Sequence, residues 1–179
     1  AHTYNDDVVV SYMTSWPRPY TELHRILEGK PTIIPGNGKS LWTLTHNTDF
    51  AKAFVEILGN PLTYGEQYHL TSNFTYTWER INEIICECLG VTPNIINIPT
   101  DFIIKHAPWL EGELVGDKDW SLIFDNSKIK SIAKDYEATT KYEDIAPKAV
   151  QRYLNNKELQ TVDHDFDKLM DKIVKEYQK

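Results

Sequence analysis

The segment 36–51 restricts the fold of this chain more than any other. It begins with a Gly-Asn-Gly turn and continues through 41–46, whose Trp and Thr content favours a β-strand. An Asn-Thr pair that can cap a helix follows at once, so the segment predicts turn, strand and helix in direct succession. The glycines do not form a phosphate-binding motif, because a dinucleotide fingerprint needs glycine where Leu41 stands, and a P-loop needs it where Ile33 stands.

Hydrophobic periodicity elsewhere predicts short strands scattered among amphipathic helices, which is an α+β fold without the regular βαβ alternation of a doubly wound sheet. The clearest helix begins at Thr77-Trp78 and ends at Gly90, and the tail carries two helices over 142–156 and 163–177. Strands are predicted at 31–35, 67–71, 94–98 and 121–124, and further helices at Thr21, at Asn47 or Thr48, at Thr100 or Asp101, and at Asn126 or Ser127.

The composition suits one domain: the chain has 179 residues, of which 41% are hydrophobic. A net charge of −7 argues against a general nucleic-acid binder, which would show a basic face. No apolar run is long enough to span a membrane, and no signal peptide is found. Cys86 and Cys88 lie two apart in a helical pattern, so we expect no disulfide between them, and we interpret Cys88 as a core residue in a reducing cytoplasm.

Two apparent metal sites fail on their spacing. Asp163-x-Asp165-x-Asp167 begins like a calcium loop, but Lys168 occupies the sixth position, where glycine is required. These acids suit the N-terminus of a helix, whose dipole they complement. The six histidines include no i, i+4 pair that could present two nitrogens to one metal. No metal site is therefore predicted.

Several motifs follow one another in an order that matches a known family. After the Gly-x-Gly turn, residues 65–70 read G-E-x-Y-x-L, Thr77-Trp78 opens a T-W helix, and residues 125–128 read D-x-S-K. Each motif is degenerate, and their order, which extends over about residues 1–155, is the specific part. On these segments the chain resembles the extended or atypical short-chain dehydrogenases/reductases, the NAD-dependent epimerase/dehydratase family.

The resemblance implies that residues 1–179 form a single substrate-binding lobe, the C-terminal part of such an enzyme, and that the N-terminal NAD(P)-binding Rossmann domain is missing from this chain. The complete protein would be a cytoplasmic oxidoreductase or isomerase that binds NAD or NADP and a small-molecule substrate. The chain alone is expected to bind no cofactor and to contain no catalytic residue. Tyr153 and Lys157 have the Tyr-x-x-x-Lys spacing of the family's catalytic pair, but they lie far downstream of its position.

The resemblance also implies candidate site residues. Segment 1–4 resembles the family's cofactor-contacting loop, which would bring His2 and Thr3 near the nicotinamide or the substrate. Trp42 and His46 are the candidate substrate-binding residues. Members that act on nucleotide sugars carry a diphosphate-binding arginine at the position of Trp42, so a smaller or more apolar substrate is expected. The alternatives are a core aromatic at Trp42 and a strand-end polar group at His46.

Two functions stay open at this stage. The chain is either the substrate-binding portion of an NAD(P)-dependent epimerase, dehydratase or reductase, inactive alone, or a non-enzymatic binding or scaffold module derived from the same family. An exposed apolar strip on a helix, where a Rossmann domain should dock, would favour the first function. No nucleic-acid or membrane partner is expected, and the terminal amphipathic helix is long enough to support a homodimer. Asp49 is interpreted as a structural acid in the first turn of a helix.

Overall fold

The computed structural model describes residues 2–179 and has the mixed α+β architecture that the sequence predicts. The strands are β1 (His2–Tyr4), β2 (Thr32–Pro35), β3 (Leu41–His46), β4 (Thr75–Thr77) and β5 (Ile95–Ile98). The helices are α1 (Tyr20–Leu27), α2 (Asn47–Ile57), α3 (Trp78–Leu89), α4 (Thr100–His106), the single turn α5 (Glu111–Glu113), α6 (Ser127–Ile132), α7 (Tyr142–Asn155) and α8 (His164–Tyr177). Within residues 2–179, none of the helices has the length and apolar character needed to cross a membrane.

The strands form two small sheets. In the first, β3 is central: β1 runs parallel to it, with Tyr4 beside His46, and β4 pairs antiparallel on its other side. In the second, β2 and β5 run parallel, with Thr32 beside Ile95. The edge of β1 that faces away from β3 pairs with no other strand of residues 2–179. The first sheet therefore has a free edge next to a parallel strand pair.

The glycine turn between β2 and β3 packs against the start of α3. Gly36 and Gly38 both have positive φ, a conformation that suits glycine. A Cβ atom added at Gly38 would lie 2.7 Å from Cγ of Glu79, so a side chain there would force the Glu79 side chain to move. Lys39 in the same turn forms an ion pair with Glu79. The turn therefore fixes where β3 begins.

Helix α3 is the clearest helix that the sequence predicts, and its ends are as expected. The Thr77 hydroxyl accepts a hydrogen bond from a first-turn amide, and Gly90 closes the helix in the left-handed conformation. Cys86 and Cys88 are both free, as expected, but the interpretation of Cys88 as a core residue is confirmed only in part: Cys88 is half-buried and packs against the core, whereas Cys86 is fully buried. The helix packs against α7 and also against α1, so its buried face is wider than one apolar stripe.

Helix α8 is held against α1 by charged groups as well as apolar ones. Asp163 caps it, since its carboxylate accepts the Phe166 amide at 3.1 Å, as expected for an acid at a helix N-terminus. The buried Arg25 of α1 donates to the carboxylate of Asp167, and at 2.8 Å to that of Asp171. These ion pairs join two elements that are far apart in sequence.

Two of the predicted strands do not form. Segment 67–71 makes no ladder, because Thr71 bonds to a side chain instead: its amide and hydroxyl donate to Oδ1 of Asn126, and Nδ2 of Asn126 donates to its carbonyl. Segment 121–124 contributes a single bridge to β3, through the backbone amide of Leu122. Side-chain hydrogen bonds thus replace strand pairing in this part of the fold.

Helix α2 forms as predicted but leaves most of its apolar stripe in solvent. Ala53 is buried, in a small second core with residues of α6 and of the segment after it. Val55 is 66% exposed, Leu58 is 68% exposed, and Phe54 and Leu62 are also exposed. We call Phe54, Val55, Leu58 and Leu62 the α2 strip.

Candidate functional site

The carboxyl ends of β1 and β3 bring His46 into a network of polar groups. Its Nε2 lies 3.0 Å from a carboxylate oxygen of Asp6, and its Nδ1 lies 2.8 Å from the hydroxyl of Thr48. The edge of the Tyr4 ring packs against the imidazole. His46 is buried and both of its ring nitrogens have partners, so the ring is fixed in one orientation. Its role in substrate binding stays a prediction.

Trp42 lies in the interior of the sheet and is only 3% exposed. Its indole packs against Trp78, with ring centroids 5.0 Å apart, and its N–H donates to the Lys118 carbonyl at 3.4 Å. His2 is the other aromatic neighbour, with centroids 6.1 Å apart. This packing fits the interpretation of Trp42 as a core aromatic, and a substrate-binding role for it stays a prediction.

His2 and Thr3 lie on β1, on different faces of the strand. His2 is half-buried and lines a cavity of about 90 Å³ together with Trp16 and Tyr153. Burial and the nearby Lys118 ammonium both lower the pKa of the His2 imidazole, which favours its neutral form. Thr3 is exposed. The structure brings His2 close to Trp42, whereas His46 lies at the opposite end of β3.

Asp49 connects the first turn of α2 to the segment that precedes α7. Its buried carboxylate accepts hydrogen bonds from the Thr140 amide at 2.9 Å and from Nζ of Lys52 at 2.7 Å. Burial alone would raise the pKa of this carboxyl, but the bonds from Lys52 and Thr140 bring the pKa below its ordinary value. These contacts agree with the structural interpretation of Asp49.

Lys118 is a buried cation that the sequence does not indicate. Its ammonium donates to the Tyr12 carbonyl at 2.5 Å and to the carboxylate of Glu113. Its own carbonyl accepts the indole N–H groups of Trp42 and Trp78. Burial lowers the pKa of this ammonium. A Gly-Asp-Lys-Asp segment is typical of an exposed loop, so nothing in its composition points to this position.

A larger groove adjoins the cavity at His2. It has a volume of about 610 Å³ and lies between the loop 14–17, the turn before α5 and the start of α8. Trp16 and Trp109 line it and are 64% and 66% exposed. Thr14 and Trp16 line both the groove and the smaller cavity, so the two spaces are neighbours. We call this space the tryptophan groove. In the sequence, only Trp16, which is followed by two nearby prolines, hinted at this groove.

The described residues do not supply a complete cofactor or metal site. Within residues 2–179, no three His, Cys, Asp or Glu side chains are placed to hold a metal ion. The glycine turn leads into β3 and not into a helix N-terminus, which is where a dinucleotide pyrophosphate is normally bound. His2 and Thr3 could therefore form at most one wall of a nicotinamide site.

Comparison with known proteins identifies partial relatives. No family model matches the chain. Over 110 residues it is 24% identical to the 2'-dehydrokanamycin reductase of Streptomyces kanamyceticus. The aligned region covers 61% of this chain and 31% of the reductase. The chain thus spans about a third of the length of this curated relative.

Solved structures give the same result at the level of the fold. The dTDP-glucose 4,6-dehydratase of Bacillus anthracis, solved with NAD, matches at a TM-score of 0.56 and 25% identity, over 76% of this chain and 38% of the dehydratase. The UDP-glucose 4-epimerase of Thermotoga maritima, solved with UDP-glucose, matches at a TM-score of 0.60 and 18% identity, over 87% of this chain and 44% of the epimerase. The proteins that this chain resembles are therefore NAD-dependent epimerases and dehydratases and a reductase, each about twice its length.

Proposed function

We propose that residues 1–179 are the C-terminal, substrate-binding lobe of an NAD(P)-dependent epimerase, dehydratase or reductase. In this proposal a Rossmann domain binds NAD or NADP and docks on the lobe, and the lobe alone catalyses nothing. The observation that carries the proposal is the α2 strip, which lies on a helix that packs beside the parallel strands β1 and β3.

The α2 strip supports docking because of its size and continuity. Val55 lies in the last turn of α2, Leu58 is the residue that closes the helix, and Leu62 lies in the short helical turn Pro61–Thr63 that follows. Single exposed apolar residues are common, but a contiguous apolar strip marks a surface that another protein surface covers. A sheet layer or a helix of a second unit would bury it.

The free edge of β1 supports the same conclusion. Its backbone groups are available for another strand, since β1 pairs only with β3 among the described residues. An open strand edge is a template for pairing with a further strand, so we expect the sheet to continue beyond β1. A Rossmann domain contains such a sheet.

The docked arrangement gives roles to the predicted site residues. NAD(P), when bound, would supply the hydride acceptor or donor. His2 and Thr3, on β1, would form the wall of the nicotinamide site, with His2 as a neutral hydrogen-bonding group. Trp42 would shape the substrate side through its contact with His2, and His46 would hold the end of β3 through Asp6. The catalytic acid and base would belong to the Rossmann domain.

Three measurements on the natural gene product test the proposal. Its intact mass, measured from the source cells, should be greater than the 20.8 kDa of this chain. The difference should correspond to about 130–170 additional residues, the size of one cofactor-binding domain. That product should bind NADH or NADPH in a fluorescence titration, and the 179-residue chain should not. Hydrogen exchange at residues 54–62 should be slower in the longer product, because the strip would be covered.

The opposite results would favour a binding or scaffold module. A natural product of the same mass as this chain, with no NAD(P)H binding and no slow exchange at residues 54–62, would contradict the docking proposal. Turnover of NAD(P)H by the 179-residue chain would contradict the proposal that the lobe alone is inactive.

A further inference from the structure

The five tryptophans of the chain fall into two groups. Trp42, Trp78 and Trp120 each donate their indole N–H to a backbone carbonyl. Within residues 2–179, the indole N–H groups of Trp16 and Trp109 have no protein acceptor, and both rings are about two-thirds exposed. Tryptophan is usually well buried and usually finds a partner for its N–H. Trp120 is equally exposed but its N–H is bonded, so among the described residues Trp16 and Trp109 are the tryptophans that are both exposed and without an N–H acceptor, and they line the same groove.

The polar lining of the tryptophan groove carries only negative charge. Its carboxylates are Glu113, Asp163 and Asp165, and no Lys, Arg or His is among its lining residues. Glu113 is paired with Lys118, and Asp163 accepts the Ser15 hydroxyl at 2.6 Å. These bonds hold both carboxylates in place. Asp165 has no cationic partner within residues 2–179, so its charge is free for a ligand.

We propose that the tryptophan groove binds a protonated amino sugar. An indole face packs against the apolar C–H face of a sugar ring and attracts a cation through its quadrupole. The Asp165 carboxylate would accept a charge-assisted hydrogen bond from the ammonium group. The inference rests on the proposed function to the extent that the bound sugar would be the substrate, held in the groove next to the cavity that His2 lines.

The neighbouring groups fit the hydroxyls of such a ligand. The Thr14 side chain is polar and lines both the groove and the cavity at His2, so it can hydrogen-bond a ring hydroxyl at their junction. The free N–H groups of Trp16 and Trp109 are further donors. A groove of about 610 Å³ has the volume typical of small-molecule sites. An anionic sugar phosphate would meet the unpaired Asp165 carboxylate here and be repelled.

Tryptophan fluorescence of the 179-residue chain tests this directly, with glucosamine as the probe and glucose and N-acetylglucosamine as neutral counterparts. At pH 7 glucosamine should bind roughly fivefold more tightly than either counterpart, the effect of one partly exposed ion pair. The difference should shrink in 0.5 M salt, since screening weakens the ion pair. Equal binding of the three sugars, or no binding of any, would overturn the proposal.

Variants locate the binding. Asp165→Asn should remove the preference for glucosamine, and Trp109→Ala should weaken binding of all three sugars, whereas the matched exposed change Asp101→Asn on α4 should leave binding unchanged. Circular dichroism should show that each variant is folded. Preserved preference in Asp165→Asn would also overturn the proposal. The sugar-binding result does not depend on cofactor binding or domain docking. The amino-sugar proposal can therefore fail while the proposed function holds, and the proposed function can fail while the groove still binds the sugar.

Discussion

At the scale of single residues, burial of Glu22 in α1 makes stability depend on pH. Burial raises the pKa of Glu22 to about 7, and the Arg25 cation offsets this only in part. A carboxyl whose pKa is raised on folding holds its proton more tightly in the folded state. Its contribution to stability is therefore complete below the pKa of the unfolded chain, about 4.5, and is lost as the pH rises through 7.

The variant Glu22→Gln isolates this effect. We expect it to be more stable than the wild type at pH 8, by at most about 3 kcal/mol, and to lose that advantage near pH 4.5. Urea unfolding at a series of pH values measures the difference between the two proteins. Asp101→Asn, an exposed control, should show no such dependence. A constant difference between Glu22→Gln and wild type across this range would contradict the assignment.

The buried ammonium of Lys118 also has a testable effect on stability. Replacing it with methionine keeps the apolar stem but leaves the Tyr12 carbonyl and Glu113 without their donor. We expect a loss of about 2–4 kcal/mol in unfolding free energy, typical of breaking a buried charged pair. The pKa of His2 should rise towards its ordinary value, because Lys118 is the second cause of its lowering after burial. An NMR titration of the His2 ring measures this, and an unchanged His2 pKa would contradict it.

At the scale of elements, the packing of α8 on α1 depends on Arg25. The guanidinium is buried and donates to Asp167 and Asp171, whereas Lys30, which contacts the same two carboxylates, is about one-third exposed. Arg25→Met should cost about 3 kcal/mol, because it leaves Asp167 partly unpaired in a buried position. Lys30→Met, the matched control, should cost less than about 1 kcal/mol, as expected for an exposed ion pair. Urea midpoints decide between these values, and equal losses would contradict a special role for Arg25.

Elements were predictable from the sequence where local chemistry determines them. Thr77 and Gly90 bound α3 as their capping preferences require, and α7 and α8 follow their apolar periodicity. Segment 67–71 has a strand-like composition but forms none, because the side chain of Asn126, distant in sequence, takes its backbone bonds. Hydrogen bonds between segments far apart in sequence leave no local sequence pattern, so the residues near 67–71 do not predict them.

The candidate site was predictable only in part, for a similar reason. The order of the motifs pointed to His2, Thr3, Trp42 and His46, and the structure brings His2 and Trp42 into contact. The groove of Trp16 and Trp109 escaped prediction, because its walls come from three segments far apart in sequence. The position of Lys118 was not predicted, because a lysine is buried only through the tertiary packing around it and the local sequence does not show that packing.

At the scale of the whole molecule, the α2 strip and the free edge of β1 should make the isolated chain self-associate. Both are surfaces that proteins normally keep covered, and a second copy can cover them in place of a larger partner. We expect light scattering to show a mass that rises with concentration in the micromolar range. The double variant Val55→Lys, Leu58→Lys should associate more weakly than the wild type with unchanged unfolding free energy, because both side chains are already in solvent.

The matched control is Ile123→Lys, which changes an equally exposed isoleucine outside the strip. It should associate as the wild type does. If the control dissociates and the double variant does not, the contact lies elsewhere on the molecule. If the double variant unfolds, Val55 and Leu58 contribute to the core of the chain itself. In either case the α2 strip loses its role as a docking surface, and the proposal of a covering Rossmann domain loses its main support.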